Sequence, residues 1–238
     1  MRRTATTANA LLGLLALRPQ WSTWELAQQL RRNMRFFWPR AESRVYEEAK
    51  RLAQDGLATA ARTHVGKRPR TTYTITATGR KQLERWLATP PRATSLECEA
   101  LLRVMLADLG TREQLDVALN QIRADAHAIL DVGRVVAAEY VQRRAPFQDD
   151  VHVRALVFDF LSNHAMMLLA WAERTEHALA RWPERTDEQR AANAIEHIKR
   201  MLAVYPAATR SDPSPTSRQD ARPAPEGERQ PTSIGRRL

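Results

Sequence analysis

The chain has 238 residues, 43% of them hydrophobic and 27% charged, enough to bury a core and stay in solution. No uninterrupted apolar run reaches the ~18–20 residues that a membrane span needs, and a single cysteine, Cys98, excludes an intrachain disulfide and fits a reducing cytoplasm. The net charge of +10 is lopsided: residues 1–92 hold 18 Lys and Arg against 6 Asp and Glu, residues 93–205 hold 13 against 17, and residues 206–238 hold 6 against 4. The basic excess of the first segment favours a polyanionic partner.

Residues 1–21 carry two arginines and a short apolar stretch. Arg18-Pro19-Gln20 is no small-residue cleavage site, so the segment reads as a helix and not as a secretory leader. That first helix covers residues 4–17, with Ala10, Leu11, Leu14, Leu15 and Leu17 as its buried stripe. Arg18-Pro19 ends it, because the residue before proline is pushed out of the α region. Ser22 or Thr23 can cap a second helix, with Glu25 in its first turn, running to about residue 32. An aromatic connector over residues 33–38 leads to Pro39, near the first turn of a third helix that ends at about residue 54.

The third helix has an inner face of Val45, Ala49, Leu52 and Ala53 and an outer face of Ser43, Arg44, Glu47, Lys50 and Arg51. Asp55-Gly56 stops it, with glycine at the left-handed position. Two β-type runs follow, over residues 57–65 and 70–76, joined by Gly66-Lys67-Arg68-Pro69-Arg70. In the second run Thr72, Thr74 and Thr76 alternate with Tyr73 and Ile75, the period of a strand. A helix holding Leu83, Trp86 and Leu87 precedes Thr89-Pro90-Pro91-Arg92, a stiff break that marks a domain boundary.

Beyond it three long helical patterns cover residues 95–109, 111–144 and 149–182, the last closed by Pro183, and a weaker one covers residues 187–204. The apolar stripe of residues 111–144 is expected to lie exposed in a monomer and to be covered by a second copy. From residue 206 onward 6 of 33 residues are proline and little is apolar, which reads as disorder. The expected fold is mainly α. A winged helix-turn-helix with a small β-hairpin wing spans residues 1–92, a long-helix dimerisation and effector domain spans residues 93–205, and a disordered tail spans residues 206–238.

A helix followed at once by a basic-tipped hairpin suits the major groove and flanking phosphates of DNA. Ser43, Arg44 and Glu47 sit near the start of the third helix, where base edges are reached, and Lys50 lies one turn on; arginine can read guanine bidentately. Tyr46 has two readings, a hydroxyl on a phosphate or a ring packed on the first helix. Lys67, Arg68 and Arg70 of the hairpin tip are expected to neutralise phosphates or enter the minor groove. The aromatics Phe36, Phe37, Trp38, Trp86 and Trp171 either pack the core or line an effector pocket, and no effector-binding residue is assigned.

Enzyme chemistry is not expected. The six histidines form no HExxH, Cys98 has no cysteine partner for zinc, and there is no phosphate loop, nucleophile elbow or dinucleotide fingerprint. Glu173 and His177, at i, i+4, read first as an ion pair or solvated face, so neither metal nor cofactor is expected.

ALLGLLAL at residues 10–17, then Ser22-Thr23-Trp24-Glu25-Leu26, FWP at residues 37–39, KRLAQDGL at residues 50–57 and GKRPRTTYTITATGR at residues 66–80 together resemble the PadR family of bacterial transcriptional regulators. The likeness covers about residues 10–90, with Thr23-Trp24 where the family usually has Gly-Tyr. The later helices resemble the virulence-activator-type dimerisation region of many such regulators, on length and helicity more than on motifs. The resemblance implies a cytoplasmic homodimeric repressor that docks one winged helix on each half of a near-palindromic operator in double-stranded DNA. It also implies a small-molecule effector, often a phenolic or a lipophilic cation, that releases the DNA. The rival reading is a winged helix that binds protein and not DNA, against which the basic excess of residues 1–92 argues.

Overall fold

The computed structural model describes residues 6–65, 68–181 and 186–206, apart from the side chains of residues 33, 40–43, 65 and 68. Residues 1–5, part of the first predicted helix, Lys67 of the wing tip and all but the first residue of the proline-rich tail lie outside the described residues. The chain divides into two compact units, Met1–Ala180 and Arg181–Leu238.

In the first unit, α1 (Thr6–Leu17) buries Leu11, Leu12, Leu14 and Leu15. Leu17, predicted to be inside, is exposed because the helix ends there. A two-residue strand, β1 (Trp21–Ser22), precedes α2 (Thr23–Met34) and α3 (Arg40–Gln54). Ser22 closes a capping box on α2: its Oγ accepts from the Glu25 N–H at 3.2 Å, and the Glu25 carboxylate accepts from the Ser22 N–H at 2.8 Å. On α3, Val45, Ala49 and Leu52 are buried, as the spacing predicts, and so is Glu48, beside Arg51 at 3.5 Å. Gly56, with φ of +69°, ends α3 in the left-handed conformation.

β2 (Ala58–Val65) and β3 (Arg68–Ile75) form the hairpin, and β3 is the central strand of an antiparallel sheet in the order β1-β3-β2. Trp21 pairs with Tyr73, Ser22 with Thr72, and Thr63 with Arg70. β3 thus begins two residues earlier than the alternating pattern suggests, and Arg70 belongs to a strand and not to the turn. α4 (Ala77–Leu87) is capped by Thr76, whose Oγ1 accepts from Gly79 N at 3.0 Å. Gly79 is required by contact: a Cβ there would lie 2.1 Å from the Leu57 carbonyl oxygen. These elements enclose one core, in which Trp21, Leu26, Leu30, Val45 and Leu52 are essentially fully buried.

The helix predicted over residues 95–109 is shorter. α5 (Glu99–Met105) is followed by one tight 3-10 turn at Ala107–Leu109. α6 (Arg112–Val141) and α7 (Val151–Ala180) are 30 residues each and pack on one another. Leu115, Ala118, Leu119 and Ile122 of α6 are buried with Ala172 and Leu179 of α7 and Ala100 of α5. This corrects the expectation that the α6 stripe lies open: its first half is consumed within the chain. α6 still exposes Val117, Val135 and Val141, and further exposed apolar surface lies on α7, at Val153, Leu156, Phe160, Met166 and Met167, and on Leu102, Met105 and Leu109 around α5. The helix Gln148–Ala180 holds a window of mean hydropathy 1.3 and is long and apolar enough, by length and composition alone, to cross a membrane.

The turn between α6 and α7 holds two non-glycine residues with positive φ, Arg143 and Phe147. Phe147 packs against the core of the first 92 residues, and Arg32 of α2 pairs with Glu139 of α6. In the second unit, α8 (Asp187–Ala203) begins in a capping box made by Thr186 and Gln189.

Candidate nucleic-acid interface

α3 exposes three residues of its predicted outer face, Arg44, Glu47 and Lys50, while Arg51 is half-buried beside Glu48. Arg44, Tyr46, Glu47 and Lys50 are all exposed, while Val45, Glu48 and Ala49 between them are buried. The alternation follows from helical geometry, which turns the two sets to opposite sides. Tyr46 is 54% exposed, so its ring is not packed into the core. The side chain of Ser43 lies outside the described residues, as do Lys67 and the Arg68 side chain at the wing tip.

Arg70 behaves differently from its neighbours in the wing. It is half-buried, and its Nη2 donates to Oε2 of Glu25. The same carboxylate accepts from Ser22 N at 2.8 Å and Ser22 Oγ at 2.7 Å, and Arg18 lies 3.8 Å from its other oxygen. Burial raises the Glu25 pKa, but the hydrogen bonds from Ser22 and Arg70 outweigh it and hold the carboxyl below its ordinary value.

Between α2, α3 and β3 lies an open cleft of about 450 Å³ lined by Ser22, Thr23, Trp24, Tyr46, Pro69, Arg70 and Thr71. Trp24 is 63% exposed there. Sequence reasoning did not single Trp24 out as a site residue; its signal was an aromatic in the first turn of α2 that fits no buried stripe. A second open cleft, of about 480 Å³, is lined by Trp24, Gln28, Arg31 and Arg32 of α2, by Arg35 just after it, and on the far side by Val132 and Pro146. The aromatics proposed for an effector pocket are not gathered in one place. The Trp38 Nε1 donates to Thr7 Oγ1 at 3.2 Å, the Phe36 ring lies under the Arg35 guanidinium, and Trp171 packs beside the buried residues of α6 and α7. Among the described residues no three His, Cys, Asp or Glu side chains form a metal cluster.

No curated protein sequence matches the chain. Residues 11–85, which contain the capped α2, the outward face of α3 and the wing, match the transcriptional regulator PadR-like family. This segment is a PadR-like domain. Solved structures carry the likeness further along the chain. A PadR-like transcriptional regulator of Bacillus cereus is 15% identical, with a TM-score of 0.62, over 74% of this chain and 98% of that one. Bacillus subtilis PadR in complex with operator DNA is 21% identical, with a TM-score of 0.61, over 72% and 97%. The Vibrio cholerae virulence activator AphA is 17% identical, with a TM-score of 0.57, over 74% and 98%. At these identities the likeness is one of fold: a winged-helix PadR-like domain followed by long helices.

Proposed function

We propose that the chain is a DNA-binding transcriptional regulator acting in the cytoplasm, as a homodimer that sets one winged helix on each half of an inverted-repeat operator. The observation that carries this is the outward face of α3, where Arg44, Tyr46, Glu47 and Lys50 stand exposed beside the wing, in a segment holding 18 basic against 6 acidic residues. Arg44 and Glu47 are assigned to base edges, with Ser43 before them, and Lys50 and Tyr46 to phosphates. Lys67 and Arg68 at the wing tip are assigned to the flanking backbone. The fold-level likeness to a regulator solved on operator DNA supports this reading.

The dimer is assigned to the apolar face left open on α7 and around α5, which a two-fold axis would bury against itself. Two such heads reach half-sites about one helical turn apart. We further assign a ligand-responsive repressor. Bacillus subtilis PadR has been solved with p-coumaric acid, and the cleft between α2 and Val132 offers about 480 Å³ for a small molecule. Effector entry there would shift the population between two spacings of the recognition helices.

The test is footprinting of the purified full-length protein on genomic DNA around its own gene, repeated with a panel of phenolics and lipophilic cations. Protection of a two-fold symmetric site, relieved by one of the compounds, is expected. Absence of retention on any duplex or on heparin at moderate salt would instead favour a protein-binding winged helix.

A further inference from the structure

Arg70 looks at first like one more cation for DNA. Its surroundings point elsewhere. It sits inside β3, opposite Thr63, and not in the turn. Its guanidinium is already engaged by Glu25. That carboxylate is not a loose surface acid: two hydrogen bonds from Ser22 hold it, and the one from the Ser22 N–H is half of the capping box of α2. Ser22 in turn pairs through its backbone with Thr72, two residues beyond Arg70 on the same strand. Gln20 Nε2 adds a hydrogen bond to Thr72 Oγ1 at 2.6 Å. The start of α2 is thus tied to the wing strand twice, at Thr72 through the sheet and at Arg70 through a charged pair.

The electrostatic arithmetic also disfavours transfer to a phosphate. Leaving Glu25 would uncover a carboxylate whose position is fixed by the cap, close to the arriving polyanion. The cation gained by the phosphate would be matched by an anion released beside it, with little net attraction. Arg18, 3.8 Å from the other carboxylate oxygen, would remain as its only described counter-charge.

We propose that Arg70 and Glu25 form a strut that stays closed on duplex DNA, fixing the wing's angle to α2 and so to the recognition helix, and that Arg70 is a positioning residue and not a phosphate ligand. The proposal rests on the DNA-binding reading above. The strut makes Glu25, an acid on the DNA-facing side, a promoter of binding, whereas a simple charge count makes it an inhibitor.

The test uses the full chain with Arg70→Met, Glu25→Gln and the double variant. Each is titrated by fluorescence anisotropy, across a range of salt, against the tightest duplex that the wild type recovers from a randomised pool and against an unrelated duplex of equal length. Each single variant is expected to weaken the selected duplex by about tenfold, the scale of a lost charge-assisted pair. The double variant should be no weaker than the worse single one, and all should keep the wild-type salt slope. Loss of about 0.9 from the slope in Arg70→Met, the signature of one phosphate contact, overturns the strut. So does tighter binding by Glu25→Gln, or an additive double variant. Should Arg70→Met fail to fold, Glu25→Gln, which keeps an acceptor for Ser22, decides by the sign of its effect. A wild type that recovers no duplex overturns the DNA-binding reading and the strut with it; where the wild type does recover one, a lost slope in Arg70→Met overturns the strut alone.

Discussion

The ring of Phe147 stacks on that of Trp21, with centroids 5.9 Å apart and planes 24° from parallel. Trp21 belongs to the two-residue strand β1, and Phe147 to the turn between α6 and α7. The guanidinium of Arg18 lies 3.5 Å from the Trp21 ring centroid, and that of Arg154 lies 4.6 Å from the Phe147 centroid. This ladder of two stacked rings, each with a guanidinium over it, joins the base of the wing to the long helices. Phe147→Ala should lower unfolding free energy by roughly 2 kcal/mol, the aromatic pair plus the partly buried area. Urea unfolding followed by tryptophan emission and by far-ultraviolet dichroism checks this, and the two transitions should separate if the ladder couples the two regions.

Gly79 should tolerate nothing larger. An alanine Cβ there meets the Leu57 carbonyl oxygen at 2.1 Å and Ile75 Cγ1 at 2.9 Å, one of them backbone that cannot swing aside. Gly79→Ala is expected to cost about 2–3 kcal/mol as an overpacked contact. Gly56→Ala, strained only by its φ, should cost about 1 kcal/mol. Thermal melts of both variants rank the two effects.

Acid should loosen the links at Glu25 and Glu139 only as the pH falls through their lowered values. Arg32, donating to Glu139, outweighs the opposing effect of burial and lowers that carboxyl, as the Ser22 and Arg70 bonds lower Glu25. Both titrate below the ordinary 4.5 in the folded chain, so their stabilisation is complete above about pH 5 and is lost as the pH falls through the lowered values. Glu139→Gln should therefore be less stable than wild type near neutrality and approach it in acid. Melting curves at several pH values below 6 give the comparison.

On α3, Lys50→Ala should weaken selected and unrelated duplexes alike and take about 0.9 from the salt slope, as a phosphate contact does. Arg44→Ala should instead cost about 1–3 kcal/mol on the selected duplex and relax preference at one base pair. Anisotropy titrations on single-base variants of that duplex separate the two behaviours.

The open face of α7 should be where copies meet. Leu156 is 71% and Phe160 64% exposed. Leu156→Glu with Phe160→Glu, which would bury carboxylates in an apolar seam, is expected to yield a monomer by sedimentation velocity, with the helical content retained.

Much of the first 92 residues was legible in the chain. The period of α3, the left-handed Gly56, the cap at Ser22 and the alternation of β3 each follow from local rules. β1 did not, because two residues show no period. The partner of Arg70 was not legible: strand pairing brings it to Glu25, 45 residues away in sequence. The long helices were legible as elements, but not in their partners. An apolar stripe says that a face is covered and not by what, so the burial of α6 by α5 and α7 within one chain appears only in three dimensions.

β1 covers Thr72 and Tyr73 of β3 and no more. From Arg68 to Thr71 the strand has β2 on one side and, among the described residues, no strand on the other. A bare edge of this kind invites a foreign chain to join the sheet. Pro69 stands on it without an N–H to offer, and Arg70 crosses it on the way to its acid. The wing thereby carries its own guard against self-association, so that concentrated protein kept away from duplex need not polymerise through its hairpins.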